Sequence, residues 1–361
     1  MSKFSQHRAL STVVLAAGIM AALTGCGSNA APAADAQKLV IASWGGAFSK
    51  ATQERLVADF EADTGIDVQV VDAPGKFLAS LESQKNAKKF EWDLLDSNSA
   101  PDAWLAYDKG LIAKMPDDVK ERLESKVVEG AVEDFGLAWS TLGYTVACQT
   151  EVASECPANS VEYFDTEKFP GNRTSIATSP MVNLTLAELA SGVPAADIPT
   201  HEIDLDRAFA KLQELKPFMK VWWQSGDQMN QAFTSNEADL GITYSGRAFN
   251  LDEQGTPMKV VWEQGAYNPG YWNVAEGSAN KESAWKFIEW LADHPENAAA
   301  WAEDLSYSVP VKDAFEHMDE GTRSQMADLP ENREKLININ YEWYVKNADE
   351  VNARWQEFLK S

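Results

Sequence analysis

Apolar and polar positions along the chain switch repeatedly between a period of two and a period of about 3.6. Leu39, Val40, Ile41 and Ala42 form a short apolar run that ends at Trp44-Gly45-Gly46, a strand entering a tight turn. From Phe48 to Asp63, residues Ala51, Leu56, Val57 and Phe60 share one helical face, and Gly65 stops the helix. Ile66 to Val71 alternates as a strand, Gly75 to Lys88 reads as a helix, and Glu91 to Asp96 is again a strand, followed by a helix opening at Pro101. This βαβαβ order predicts mainly parallel sheet flanked by helices. Farther on, Ile203–Leu215, Gln228–Asn236 and Ala284–Ala292 read as helices, while Lys220–Trp223 and Ala238–Tyr244 read as strands. No internal repeat or coiled-coil heptad is present. The expected fold class is α/β throughout.

The first residues carry a different signal. Lys3 and Arg8 precede an uncharged stretch from Ala9 to Leu23, whose 15 residues fall short of a spanning helix. Leu23-Thr24-Gly25-Cys26 looks like a lipoprotein cleavage box. Residues 1–25 are therefore expected to be a signal peptide, with Cys26 lipidated and residues 26–37 a flexible tether. The alternative is a plain secretory peptide with an incidental cysteine. Export to an oxidising envelope favours a disulfide between Cys148 and Cys156, which are eight residues apart. A metal site is the competing reading, but His7, His201, His294 and His317 are scattered and no metal is expected.

Composition narrows the class. The 361 residues include 31 Lys and Arg against 55 Asp and Glu, a net charge of −24, which opposes binding to nucleic acid or to anionic lipid through charge. The length suggests two domains. Gly-x-Ser-x-Gly, His-Glu-x-x-His, Walker A and Gly-x-Gly-x-x-Gly are all missing, so neither catalysis nor a cofactor is expected. A carboxylate-pair hydrolase and a structural envelope lipoprotein stay open as alternatives.

Ligands of α/β sheets bind beyond the carboxyl ends of the strands, where loops vary and helix N-termini point donors inward. The turns to weigh are Ser43 to Gly46, Asp96 to Ser99, Trp222 to Asp227 and Tyr244 to Arg247. Three of the four carry aromatic residues, a pattern suited to an organic cation; packing at domain edges is the alternative role for each ring.

Ser43-Trp44-Gly45-Gly46, the stretch from Tyr163 to Arg173, Tyr244-Ser245-Gly246-Arg247 and Val309-Pro310 stand in an order that resembles the bacterial extracellular solute-binding proteins, in particular the spermidine/putrescine-binding branch serving ABC importers. The resemblance implies a two-lobed periplasmic-binding-protein fold, with 38–140 and 268–308 in one lobe and 141–267 and 309–361 in the other. It also implies a monomer held at the membrane by lipid alone, and a permease as partner. The ligand, a polyamine or an amino-acid-like amine, would lie between the lobes. Ligand contacts are expected from Trp44, Gly45, Asp96, Ser97, Ser99, Trp223, Asp227, Tyr244, Arg247, Tyr271 and Tyr307. Polyamine binders of the family carry Trp-x-Asp where this chain has Asn268-Pro269-Gly270, so an ammonium would lose its carboxylate there. Arg247 adds a cation that repels a second ammonium but suits a carboxylate. The ligand is accordingly expected to be a γ- or δ-amino acid, with Asp96, Asp227 or Glu263 taking its amine. A polyamine is the runner-up, and a structural salt bridge is the alternative role for Arg247.

Overall fold

The computed structural model describes residues 38–153 and 155–361. Expectations for the signal peptide, for Cys26 and for the tether concern residues outside this range. Among the described residues ten strands form one sheet: β1 (Lys38–Ser43), β2 (Asp67–Asp72), β3 (Leu94–Ser99), β4 (Val132–Glu133), β5 (Gly136–Gln149), β6 (Arg173–Ile176), β7 (Met219–Trp223), β8 (Leu240–Tyr244), β9 (Met258–Val274) and β10 (Ile337–Asn338).

The order β2-β1-β3-β9-β5-β8-β6-β7 contains two parallel flanks, β2-β1-β3 and β8-β6-β7, as the βαβ pattern predicts. The centre departs from a parallel arrangement. β5 and β9 are long, antiparallel to each other and to the flank strand each adjoins, and shared by both flanks. Every residue of β5 is buried, so it shows no polar alternation and no period of two. Gly265, Pro269 and Gly270 would punctuate β9 as turns, yet they sit at irregularities where the pairing shifts register and the strand bends.

The first long helix is continuous but changes pitch. Gly46–Ala51 and Ala58–Thr64 are α-helical, and Thr52–Val57 between them is a π-helical stretch that turns Thr52 toward Asp96. The C-terminal helix, Tyr341–Lys360, packs on Ala100–Asp108 beside one flank and on Pro180–Ala190 beside the other. Val311 bridges to Val127 beside the first flank. The sulfurs of Cys148 and Cys156 lie at bonding distance, 2.14 Å. No helix among the described residues is long and apolar enough to cross a membrane, and no metal-binding cluster is found among them.

Candidate functional site

Both parallel flanks point their carboxyl ends at one cleft of about 440 Å³. Trp44 follows β1, Ser97 and Ser99 end β3, Thr178 and Ser179 follow β6, Gly226 follows β7, and Tyr244 and Arg247 lie at and beyond the end of β8. The central strands supply the floor through Ser140, Leu142 and Tyr144 of β5 and Asn268, Pro269 and Gly270 of β9. Phe48, Pro101 and Tyr307 complete the lining.

Strain concentrates here. Ser97 (φ 56°) and Ser140 (φ 48°) adopt the left-handed conformation that non-glycine residues avoid, and Ser306, next to Tyr307, does the same at φ 57°. Ser97 and Ser140 fall at register shifts of β3 and β5, so the bulges aim these hydroxyl-bearing residues at the cleft.

Four helices begin at the cleft: Ala100–Asp108, Pro180–Ala190, Gly226–Thr234 and Ser245–Glu253. Their free N–H groups and dipoles favour negative charge. Arg247, in the first turn of the last of these, is the one ionised side chain among the described lining residues, and no carboxylate lines the cleft with it. Its guanidinium crowds Gly226, where a Cβ would approach Nε to 2.1 Å, so a side chain there would push Arg247 out of this position. Nη1 donates to Asp227 at 3.1 Å, and the Asp227 side chain is 94% exposed.

The aromatic lining is braced from behind. Trp44 donates from Nε1 to the Ser97 carbonyl at 3.0 Å and stands edge-on to Phe77, which leaves its exposed surface to the cleft. Phe48 packs edge-on against Trp301 and Tyr307. Tyr144 and Tyr244 lie with ring centroids 5.1 Å apart and hydroxyls 3.5 Å apart. Burial raises the pKa of both phenols and that of Tyr307, so all three keep their protons as donors.

Of the residues expected to bind, Trp44, Ser97, Ser99, Tyr244, Arg247 and Tyr307 are brought together in the cleft. Five others are not. Gly45 caps the first helix and lies against Asp72. Asp96 is fully buried behind Ser97, where hydroxyls of Ser43, Thr52 and Ser97 occupy its oxygens. Trp223 is buried, with Nε1 donating to the Ile242 carbonyl and its ring against Tyr244. Asp227 points to solvent and holds Arg247. Tyr271 faces a separate small cavity across β9. Glu263, a candidate for the amine end, is exposed outside the cleft. Sequence reasoning missed the β5 residues, Phe48, Pro101, Thr178 and Ser179, and weighed the turn holding Gly226 without naming that residue as a contact. Ser179-Pro180 is a helix-start signature that marks one of these positions.

This arrangement, two α/β flanks joined by long shared strands around a polar cleft, defines a binding protein for small solutes. The family model described as "Bacterial extracellular solute-binding protein" matches residues 55–328, and the chain belongs to that family. It is 27% identical over 337 residues to the gamma-aminobutyric acid-binding protein of Pseudomonas aeruginosa, covering 92% of this chain and 94% of the relative. A 109-residue part is 29% identical to the spermidine/putrescine-binding periplasmic protein of Salmonella typhimurium, 30% of each chain. Among solved structures, the Atu4243–GABA receptor aligns with a TM-score of 0.78 and 29% identity over 89% of this chain and 97% of that one. The structural neighbours are two-lobed periplasmic binding proteins.

Proposed function

We propose that the protein captures an ω-amino acid of the γ-aminobutyrate type in the cell envelope and delivers it to the permease of an ABC importer. The observation that carries this reading is the charge of the cleft: a lone guanidinium, four helix N-termini and no carboxylate among the described lining residues. A ligand carboxylate finds charge-assisted donors there. The amine end faces Trp44, Phe48 and Tyr307 together with the serine hydroxyls and the Asn268 side chain, which serve an ammonium by cation–π contact and hydrogen-bond acceptance. A polyamine would bring two or more cations to a cleft that already holds one. The one relative and the one structural neighbour named for γ-aminobutyrate support the same reading.

Capture then follows from closure of two lobes, with boundaries at residues 140/141 and 267/268 inside β5 and β9. Both lie at or beside register shifts, where few ladder bonds resist bending. The lipid anchor at Cys26, the signal peptide, the monomeric state and the oxidised Cys148–Cys156 pair belong to this reading.

Calorimetric titration with γ-aminobutyrate, 5-aminovalerate, putrescine and spermidine tests it. The ω-amino acids are expected to bind most tightly. Tighter binding of either polyamine would replace this reading with that of a polyamine carrier.

A further inference from the structure

Behind the floor of the cleft lies a second, smaller cavity of about 50 Å³, separated from the first by Pro269, which lines both. Its wall is aromatic, built from Trp104, Tyr267, Tyr271 and Tyr341, and one carboxylate, Glu133 of β4, faces it. Three polar groups there are unused. The Tyr341 hydroxyl is buried without a hydrogen-bond partner, on a side chain only 5% exposed. Among the described residues, neither the Tyr271 hydroxyl nor the Glu133 carboxylate has a hydrogen-bond or ion-pair partner.

Two cations lie nearby: Lys120 is paired outside the cavity, and Arg333 keeps its Nε without a hydrogen-bond partner among the described residues while its guanidinium sits beside Gly130 of the lining. Lys120 is bound to Asp134 at 2.7 Å, and Arg333 stacks on Tyr267 at 3.8 Å while donating to Asn338. Glu133 is half-buried, and a carboxylate set against aromatic faces favours a cation beside it. We propose that this cavity is a second binding site, for a small ammonium cation such as the head group of a primary alkylamine. The site would hold the cation between the Glu133 carboxylate and the π-faces of Trp104, Tyr271 and Tyr341, with N–H groups donating to the free hydroxyls. Burial raises the pKa of Glu133 to about 7, against the opposing pull of Lys120. A cavity of about 50 Å³ admits a water-sized group such as ammonium or methylammonium, and tetramethylammonium, which cannot donate a hydrogen bond, serves as the control cation.

The site is independent of the ligand assigned to the main cleft, and its test reads it separately. Methylammonium chloride is titrated into the purified protein carrying ¹⁵N-labelled tryptophan, with sodium chloride and tetramethylammonium chloride as controls. The indole resonances of Trp104 and Trp44 are followed, each assigned by a Trp→Phe variant. A saturable shift at Trp104, absent at Trp44 and absent with either control salt, is expected. Glu133→Gln, an isosteric change that removes a desolvated charge and so preserves folding, should weaken the midpoint by about tenfold or more. Tyr341→Phe, which keeps the ring, should weaken it by a smaller factor. A shift no different from sodium chloride, meaning a cavity that holds water only, would overturn the proposal. So would saturation that survives Glu133→Gln unchanged, or a response centred on Trp44.

Discussion

The two walls of the main cleft treat charge in opposite ways. The wall built after β1 and β3 presents Trp44, Ser97 and Ser99 and withdraws its carboxylate, Asp96, into the core. The wall built after β7 and β8 presents Arg247 and sends its carboxylate, Asp227, to solvent. Asp96 and Arg247 are both strand-end residues of the kind that bind ligands, and burial decides between them. A fully buried carboxylate must be saturated by its own protein, and three hydroxyls saturate this one. A part-exposed guanidinium whose partner is solvated keeps donors to offer. The same rule, that a charge without an internal partner is a charge kept for something else, also singles out Glu133.

The sharpest break of this comparison is at the seat of Arg247. Arg247→Met removes the cation and should weaken binding of an ω-amino acid by about 3 kcal/mol, roughly a hundredfold in Kd. Gly226→Val should cost nearly as much without touching Arg247 chemically, because a Cβ at residue 226 overlaps the guanidinium at 2.1 Å. Circular dichroism melting of the Val variant checks that the fold is retained. Calorimetric affinities within a factor of two of wild type for both variants would show that the carboxylate is held elsewhere.

The opposite wall offers a stability test. Burial, acting against the three hydroxyl hydrogen bonds, pushes Asp96 up to about 6. The folded protein therefore binds this proton more tightly than the unfolded chain, whose Asp titrates near 4. Its contribution is favourable at pH 4 and is lost as pH rises through the window from about 4 to about 6, at a cost of about 3 kcal/mol. Asp96→Asn does not titrate. The difference in urea-unfolding free energy between wild type and this variant should thus change by about that amount across the window, with wild type relatively weaker at the higher pH. A difference that stays flat between pH 4 and 7 would mean that Asp96 remains ionised throughout and that the hydroxyls outweigh its burial.

Much of the frame was legible in the sequence, because elements with one buried face write their period into it. β1, β2 and the helices after them fall where the apolar spacing predicts, β3 lies three residues later at Leu94–Ser99 so that the expected turn from Asp96 to Ser99 is its last half, and strand-end turns led directly to Trp44, Tyr244 and Arg247. β5 and β9 escaped. Central strands covered on both faces lose their alternation, and the bulges that shape the cleft look like loop residues in a linear reading. With those strands went Ser140, Leu142 and Tyr144, while Asn268 to Gly270 registered only as a departure from a family pattern. The Trp222-Trp223 pair shows a second limit. Adjacent strand residues face opposite ways, and composition does not reveal that Trp223 packs on Tyr244 while Trp222 packs on Trp355. Glu133 left no sequence signal at all, since its isolation depends on Lys120 choosing Asp134.

The smallest effect discriminates most finely, because Arg247 was open to two readings: a ligand partner, or one half of a structural ion pair. Both are physically present, since Nη1 does meet Asp227. The pair joins a 40% exposed guanidinium to a 94% exposed carboxylate, and contacts of that kind contribute about 0–1 kcal/mol and weaken with salt. Asp227→Asn should therefore leave the urea midpoint essentially unchanged. Its effect on the ligand should be slightly favourable at low ionic strength, because removing the competing anion lets the guanidinium and the helix N-termini act on the ligand carboxylate alone. The gain should be no more than about threefold in Kd, within 1 kcal/mol, and should fade in high salt. If Asp227→Asn instead lowers affinity tenfold at every salt concentration, Asp227 is holding Arg247 in its binding pose. The two walls would then differ less than their exposures suggest.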